Sequence, residues 1–350
     1  MSIDRPVAPR LALSRRRLLQ SASAAFGVVT FGSLGPRSAR AQQSLLWYSA
    51  SSVESVDDWT KLYKELTGTS VEYFRAGGVK LAQKFEQEAK ARQVRCDFID
   101  ISLPGLMTQW ANQGLLMKYE SPEAAHYPAD LRMSGFWTPV KALDTCIAFN
   151  ADIIKPADAP KHWEDLLDPK WKGKMVMADP FFSGGSLHWY GAVRKLLGKP
   201  FMEKLAKQDI LLRNGSGEVI DTVITGERPL AASALQYYAS AKAAEGVNID
   251  MVFPPEGIPV GMEVIGIAAN APNADGARKF VDFALGKRAQ EVWQKNHFAP
   301  SFRDDVAPMP EEHGRVPLNK VKLLYSGASD AMEIHEHQGE LLEEFGALFK

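Results

Sequence analysis

The chain has 350 residues, of which 45% are hydrophobic and 24% charged, and its formal net charge is −1 at pH 7. Residues 1–41 contain seven arginines and one aspartate, so the remaining chain has 34 basic and 41 acidic side chains, a net charge of about −7. This acidic balance argues against nucleic-acid binding, which requires a basic face. The length exceeds one typical hydrophobic core and favours two lobes.

Residues 1–41 have the features of an export signal. The twin arginines Arg15 and Arg16 precede a short apolar run at 21–34, and Ala-Arg-Ala at 39–41 suits a signal peptidase. The run is too short, and too rich in Ala, Ser and Gly, to span a bilayer stably. We expect a twin-arginine signal peptide and a periplasmic mature protein; an amphipathic anchor that stays attached is the alternative.

The chain then alternates between strands and helices. Apolar runs at 44–50, 70–74 and 95–102 predict strands. Residues 52–68 predict a helix that ends at Gly68. Its predicted apolar stripe is Val56, Trp59, Leu62 and Leu66. A second helix begins at the Gly77-Gly78 pair, and this alternation indicates a parallel sheet covered on both faces.

The same alternation returns in the second half of the chain. Strands are predicted at 145–150, 173–180, 228–235, 248–254 and 263–270. Helices are predicted to open after the loops at 181–186 and 214–217, and another to span 273–286. We expect the last fifty residues to form helices packed on the outside.

Four loops rich in Ser and Gly follow predicted strands and open predicted helices. Helix N-termini at the carboxyl ends of strands collect unpaired backbone N–H groups, which bind anions. Each loop alone is an ordinary helix cap, but four together predict a cleft for a polar, anionic ligand. The candidate ligand-binding residues are Ser49, Ser51, Ser52, Gly77, Gly78, Ser102, Ser183, Gly184, Gly185, Ser186, Asn214 and Ser216.

Tyr237 and Tyr238 are adjacent at the end of the strand predicted at 228–235. Neighbouring side chains share a face neither on a strand nor on a helix. Both phenols can therefore reach one ligand only where a strand turns into a helix. The alternative is that Tyr237 packs in the core while Tyr238 lies on the surface.

Enzyme motifs are scarce. The sequence has no G-x-S-x-G and no H-E-x-x-H, and His188 is expected on a helix surface. Cys96 and Cys146 are the only cysteines in the sequence. They could form one disulfide or remain two buried thiols, and the sequence does not decide between these alternatives. They lack the spacing of a zinc site, and we predict a protein that is not an enzyme.

Several segments between about 45 and 297 resemble a known family. They include "LLWYSA", "DFIDISLPGLMTQWANQGLLMKYESPEA", "HWEDLLDPKWKGKMVMADPFFSGGS", "VFPPEGIPV" and "APNADGARKFVDFAL". These segments are similar to bacterial extracellular solute-binding proteins of ABC importers, in the branch containing the periplasmic ferric-binding proteins. The resemblance implies a monomer that delivers a small ligand to an ABC permease and ATPase of the inner membrane.

The resemblance also implies a fold: α/β, the two-lobed type II periplasmic binding protein fold, with a mainly parallel sheet flanked by helices in each lobe. The two lobes would hinge on two crossing segments near Thr145 and Val260. We expect lobe one at 44–145 plus 262–305, lobe two at 146–261, and a C-terminal helical tail at 306–350.

Ferric-binding relatives place a tyrosine pair at the start of the helix after a strand of the second lobe, as here. The resemblance implies that Tyr237 and Tyr238 bind Fe³⁺ as phenolates, with carbonate, phosphate or citrate held at 183–186. Ser51 and Ser52 stand where several members have His, and Ile101 and Ser102 where others have Glu. Ferric iron is therefore the first expectation and a small organic anion, such as a phosphonate or sugar phosphate, the second. A thiaminase-like enzyme with Cys96 as nucleophile is a remote third.

Overall fold

The computed structural model describes residues 44–132, 135–324 and 326–350. The predicted signal peptide therefore lies outside the described residues. The strands are β1 (Leu45–Ser49), β2 (Val71–Arg75), β3 (Phe98–Ile101), β4 (Trp137–Asn150), β5 (Met175–Ala178), β6 (Leu211–Arg213), β7 (Leu230–Leu235), β8 (Ile249–Val252), β9 (Ile258–Ile267) and β10 (Leu323–Leu324). The helices are α1 (Val53–Thr67), α2 (Gly78–Lys90), α3 (Pro104–Asn112), α4 (Gly184–Leu197), α5 (Lys199–Ala206), α6 (Ser216–Thr225), α7 (Gln236–Ala244), α8 (Ala274–Leu285), α9 (Lys287–His297), α10 (Ala328–Glu336) and α11 (Gln338–Phe349). Among these described helices, none has both the length and the apolar character that a membrane crossing requires.

The strands form one sheet in the order β2-β1-β3-β9-β4-β7-β5-β6, with β10 beside β9 and β8 beside β4. β1 is parallel to both β2 and β3, and β5 is parallel to both β6 and β7. The long strands β4 and β9 join these two parallel groups through antiparallel pairing. Helices pack on the sheet and bury separate apolar clusters, as the alternating sequence pattern predicts.

Helix α1 confirms its predicted end but corrects its predicted apolar stripe. Gly68 closes the helix with φ of 73°, a left-handed conformation that favours glycine. Val56 and Trp59 are buried as predicted, whereas Leu66 is 46% exposed. The third buried apolar position of the stripe is Tyr63, which continues the helical spacing from Trp59.

The two central strands of the sheet, β4 and β9, each begin earlier in the sequence than predicted. The strand predicted at 145–150 starts at Trp137, and the strand predicted at 263–270 starts at Ile258. All residues of both strands are buried, including Lys141 of β4 and Glu263 of β9. These two charged residues are direct cross-strand partners, so each provides the opposite charge that the other needs.

The C-terminal part is only partly helical. Residues 306–324 contain a 3₁₀ turn and the short strand β10, which adds to β9. After them, α10 packs between α3 and α4, and α11 packs on α4 and α5. The contact of α10 with α3 is close, because a Cβ atom on Gly105 would lie 2.1 Å from the Cβ atom of His335.

Candidate functional site: a cavity at the carboxyl ends of the strands

A cavity of about 710 Å³ lies where the loops after β2, β3, β5, β6 and β7 converge. In the strand order, β1 lies between β2 and β3, and β5 lies between β6 and β7. Each parallel group therefore has a point where successive connections leave in opposite directions. Ligands of open α/β sheets bind at such points, outside the carboxyl ends of the strands.

The starts of α2 and α4 both lie beside Ser102 at this cavity. A Cβ atom on Gly184, the first residue of α4, would lie 2.5 Å from the carbonyl oxygen of Ser102, which follows β3. A Cβ atom on Gly78, the first residue of α2, would lie 3.9 Å from the Oγ atom of Ser102. The starts of α2 and α4 thus meet around Ser102, and only glycine permits the approach at position 184.

The N-termini of α2 and α4 are free of acidic side chains. Neither α2 nor α4 has Asp or Glu in its first turn. The Ser183 side chain caps α4 by accepting a hydrogen bond from the Ser186 N–H, whereas the Gly77 cap of α2 has no side chain to do so. Helix α6 differs, because Glu218 lies in its first turn and accepts a hydrogen bond from the Asn214 N–H at 3.2 Å. The positive ends of α2 and α4 therefore remain available to an anion.

Arg75 adds a positive charge to the cavity wall. It is the last residue of β2, and its Nε atom donates a hydrogen bond to the Ser51 carbonyl oxygen at 3.0 Å. This bond orients the guanidinium group, which carries further N–H donors for a ligand. A planar guanidinium group matches phosphate and carboxylate oxygens in pairs.

The tyrosine pair also lines the cavity. Tyr237 and Tyr238 lie in the first turn of α7, directly after β7, so the strand does turn into a helix at this point. The ring centroids are 4.3 Å apart. Burial raises the pKa of the Tyr237 phenol well above its usual range, and the neighbouring Tyr238 and Glu263 raise it further. Tyr237 is therefore a neutral hydrogen-bonding group in the absence of a metal ion.

Tyr237 and Tyr238 also line a second cavity of about 520 Å³. This second cavity also contains Ser52, Glu54 and Asp221. Tyr237 packs in a hydrophobic core cluster, as the alternative expected, and Tyr238 is half-buried, but both residues line both cavities.

A buried network of charges lies behind the tyrosines. Lys141 Nζ is 3.3 Å from a Glu263 carboxylate oxygen and 5.0 Å from the centroid of the Tyr237 ring. Burial, and next the charge of Glu263, raise the pKa of Asp100 well above its usual range. Burial also opposes ionisation of Glu263, but Lys141, Asp100 and the Ser51 hydroxyl outweigh it and hold the pKa of Glu263 below its usual range. Asp100 therefore keeps its proton, and Glu263 is the carboxylate of the pair.

Ten of the fourteen residues predicted for the site line the first cavity. They are Gly77, Gly78, Ser102, Ser183, Gly184, Gly185, Asn214, Ser216, Tyr237 and Tyr238.

The other four predicted residues have different contacts. Ser49 and Ser51 are buried, and the Ser51 hydroxyl donates to Glu263. Ser52 caps α1 and lines the second cavity, while the Ser186 hydroxyl donates to the Ala178 carbonyl oxygen. These side chains support the cavity rather than face it.

Sequence reasoning missed Glu263 among the cavity residues. The available signal was a single carboxylate inside an apolar run, between Val260 and Ile267. A charge in a buried strand requires a partner or a function.

The groups considered for enzymatic chemistry are buried. Cys96 and Cys146 are free thiols with 0% exposure, and burial raises the pKa of both. Raised thiol pKa values oppose formation of the nucleophilic thiolate. His188 is also buried, contrary to its predicted surface position, and burial lowers its pKa to about 4.

Comparison with known proteins agrees with this geometry. The family model described as "Bacterial extracellular solute-binding protein" matches residues 96–319. The chain belongs to this family. The family is one of transport-associated binding proteins, and the resemblance and the type II fold predicted from the sequence are both confirmed.

Proteins similar to this chain are named for, or were solved with, different ligands. A putative 2-aminoethylphosphonate-binding periplasmic protein of Salmonella typhimurium is 23% identical over 266 residues, which cover 72% of this chain and 75% of that protein. The periplasmic binding protein AfuA of Actinobacillus pleuropneumoniae, solved with fructose-6-phosphate bound, has a TM-score of 0.78 at 21% identity, covering 87% of this chain and 98% of that one. Iron-bound HitA of Pseudomonas aeruginosa has a TM-score of 0.75 at 21% identity, covering 86% of this chain and 99% of that one. At these identities the structural likeness shows the fold alone.

Proposed function

We propose that this solute-binding protein is the periplasmic receptor of an ABC importer and captures a small organic anion with a phosphate or phosphonate group. The observation that carries the proposal is the meeting of α2 and α4, two helix N-termini without acidic first-turn residues, around Ser102 and beside Arg75. Backbone N–H groups there supply donors, and both helix dipoles favour negative charge.

The size of the cavity supports an organic ligand. A volume of about 710 Å³ falls within the range of about 300–1,000 Å³ typical of small-molecule sites. A metal ion with one small anion fills only a small part of such a space. Polar side chains of Gln83, Asn214 and Ser216 also line the wall, where they can hydrogen-bond an organic body.

Ferric iron with a synergistic anion is the second candidate, and the tyrosine pair favours it. Tyr237 and Tyr238 offer two hard oxygen ligands in one cavity, and Glu263 offers a carboxylate in the same wall. Binding iron would require ionisation of Tyr237, whose pKa burial raises. Arg75 in the same cavity would also oppose a trivalent cation.

The importer role is supported by the family and by the names of relatives. A solute receptor of this class delivers its ligand to a membrane permease driven by an ATPase, and we propose both as partners of a monomeric receptor. The relative from Salmonella typhimurium is named as a periplasmic protein, which supports the same location for this chain. We propose export by the twin-arginine route, and two lobes that close on the ligand.

Ligand titrations of the purified mature protein distinguish the two candidate ligands, the organic anion and ferric iron. Fructose 6-phosphate and 2-aminoethylphosphonate should each raise its melting temperature, because a ligand that binds only the native state stabilises it. Arg75→Gln should weaken that binding about tenfold to a hundredfold, since it removes charged hydrogen bonds. Lys61→Gln removes one positive charge from the exposed side of α1 and should leave affinity unchanged.

Ferric citrate tests the second candidate in the same protein. A visible phenolate-to-iron absorption band that disappears in Tyr237→Phe, together with no response to either phosphoryl compound, would overturn the proposal and identify ferric iron as the ligand. A colourless protein that responds to the phosphoryl compounds supports the proposal.

A further inference from the structure

Glu263 is a carboxylate in the wall of a cavity whose other features favour an anion. Its side chain is only 5% exposed, and it nevertheless lines the cavity. An anionic ligand close to an ionised carboxylate is repelled unless a donor lies between them. The position of Glu263 therefore indicates that the part of the ligand facing it carries a hydrogen-bond donor.

The hydrogen bonds of Glu263 leave room for one more donor. The Ser51 hydroxyl, the Lys141 ammonium group and the protonated Asp100 carboxyl all interact with its two oxygens. An ionised carboxylate offers about four acceptor positions. Three are used by protein donors, and the side that lines the cavity remains for a ligand.

A purely structural role would concern the pairing of β4 with β9. Lys141 and Glu263 are opposite each other in that pairing, and their ion pair holds the two strands together. Only one of the two lines the cavity, however: Lys141 is 1% exposed and is not among the lining residues that the structure describes. The strand pairing alone does not require the carboxylate to face the ligand space.

Glu263 lies within the reach of a small ligand from the helix N-termini. β3 pairs with β9 through Ile101 and Val264, so Ser102 and Glu263 occupy the next positions along the two strands. Ser102 is the residue that the start of α4 contacts. Arg75, Tyr237 and Glu263 line the same cavity, so a ligand held at the helix N-termini beside Arg75 can also extend to Glu263.

We propose that Glu263 determines specificity by accepting a hydrogen bond from a hydroxyl or ammonium group on the ligand, at the end opposite its phosphoryl group. This inference rests on the proposed function and names the ligand more narrowly: a phosphoryl compound with a donor at its other end. Compounds with a phosphoryl group and an apolar tail are then poor ligands, because they bury the cavity side of the carboxylate without giving it a donor.

Three phosphonates of similar size provide the test in the wild-type mature protein. Propylphosphonate has a methyl group where 2-hydroxyethylphosphonate has a hydroxyl and 2-aminoethylphosphonate an ammonium group. Calorimetric titration should show tighter binding than propylphosphonate, by about tenfold to a hundredfold, for at least one of the two donor compounds. The one with the larger gain identifies the donor as hydroxyl or ammonium.

Two variants assign this preference to Glu263. Glu263→Gln removes the charge at nearly constant size and should reduce the preference to a few-fold, whereas a structural role would weaken all three compounds equally. Glu65→Gln changes an exposed carboxylate on α1 that does not line the cavity, and should keep the preference.

Each outcome has a distinct meaning. Equal binding of the three phosphonates to the wild type overturns the inference and leaves the proposed function intact, even if Glu263→Gln fails to fold. If none of the three binds but fructose 6-phosphate does, the inference is overturned and the proposed function stands; if fructose 6-phosphate fails to bind as well, both are overturned. A preference that persists in a folded Glu263→Gln variant assigns the recognition to another residue and overturns the role of Glu263.

Discussion

Asp144 should make the protein less stable at alkaline pH, and Asp144→Asn should remove this penalty. The residue lies on β4 opposite Val260 and is 0% exposed. Neither carboxylate oxygen has a hydrogen-bond partner among the described residues. Burial raises its pKa from 3.8 to about 7, opposed only by its own backbone N–H group.

The direction of the change in stability with pH follows from the number of protons that the native and unfolded states bind. Between about pH 4 and pH 7 the native protein keeps a proton on Asp144 that the unfolded chain releases, so stability falls as pH rises through this window. A shift of about 3 pKa units costs about 4 kcal/mol at most, at 1.36 kcal/mol per unit. About 1.7 kcal/mol of this is already present at pH 5, which leaves about 2.5 kcal/mol between pH 5 and pH 8.

Urea unfolding of the ligand-free mature protein at both pH values measures this difference. Asp144→Asn should gain about 2.5 kcal/mol more stability relative to the wild type at pH 8 than at pH 5, or about 5 °C in melting temperature. The surface variant Asp158→Asn should show no such difference. An equal effect of Asp144→Asn at the two pH values would refute the reasoning, because it would mean that the buried carboxylate ionises freely.

Three further predictions follow from other features. Changing both Arg15 and Arg16 to Lys should leave precursor in the cytoplasm, and fractionation that shows normal periplasmic accumulation would contradict the twin-arginine route. Gly184→Ala should weaken ligand binding and lower the melting temperature, because its Cβ atom would lie 2.5 Å from a backbone oxygen. Gly185→Ala should be tolerated, because its Cβ atom would make ordinary contacts with Leu235 at 3.6 Å and Ser183 Oγ at 4.0 Å. Ellman's reagent should detect no thiol in the native protein and two after unfolding, and fewer than two would indicate a disulfide.

The strands and helices were predictable where the sequence pattern is local. Gly68 ends α1, and the apolar runs place β1, β2 and β3 almost correctly. The first half of β4 was missed because Pro139, Lys141 and Asp144 make it read as polar. Lys141 is compatible with the sheet only because Glu263, more than a hundred residues later, is its cross-strand partner. No local pattern contains that pairing.

The candidate site was predictable in its loops but not in its charges. Ser and Gly after a strand mark a helix start, so Gly78, Gly184 and Ser216 could be placed at the cavity from sequence alone. Glu263 follows no motif, and its position depends on the register between β3 and β9. Ser51 was expected to face the ligand, but its hydroxyl is held by that same carboxylate.

The place of β9 in the sheet has a consequence for synthesis of the chain. β9 separates β3 from β4, although its residues, Ile258–Ile267, follow those of β3 by more than 150 positions. While the ribosome makes the intervening segment, one edge of β3 has no native partner among the described strands. Pairing between such distant segments slows folding, and an open strand edge promotes aggregation. The nascent chain therefore needs protection at β3 until residue 267 has emerged, and the sheet can be completed only late in synthesis.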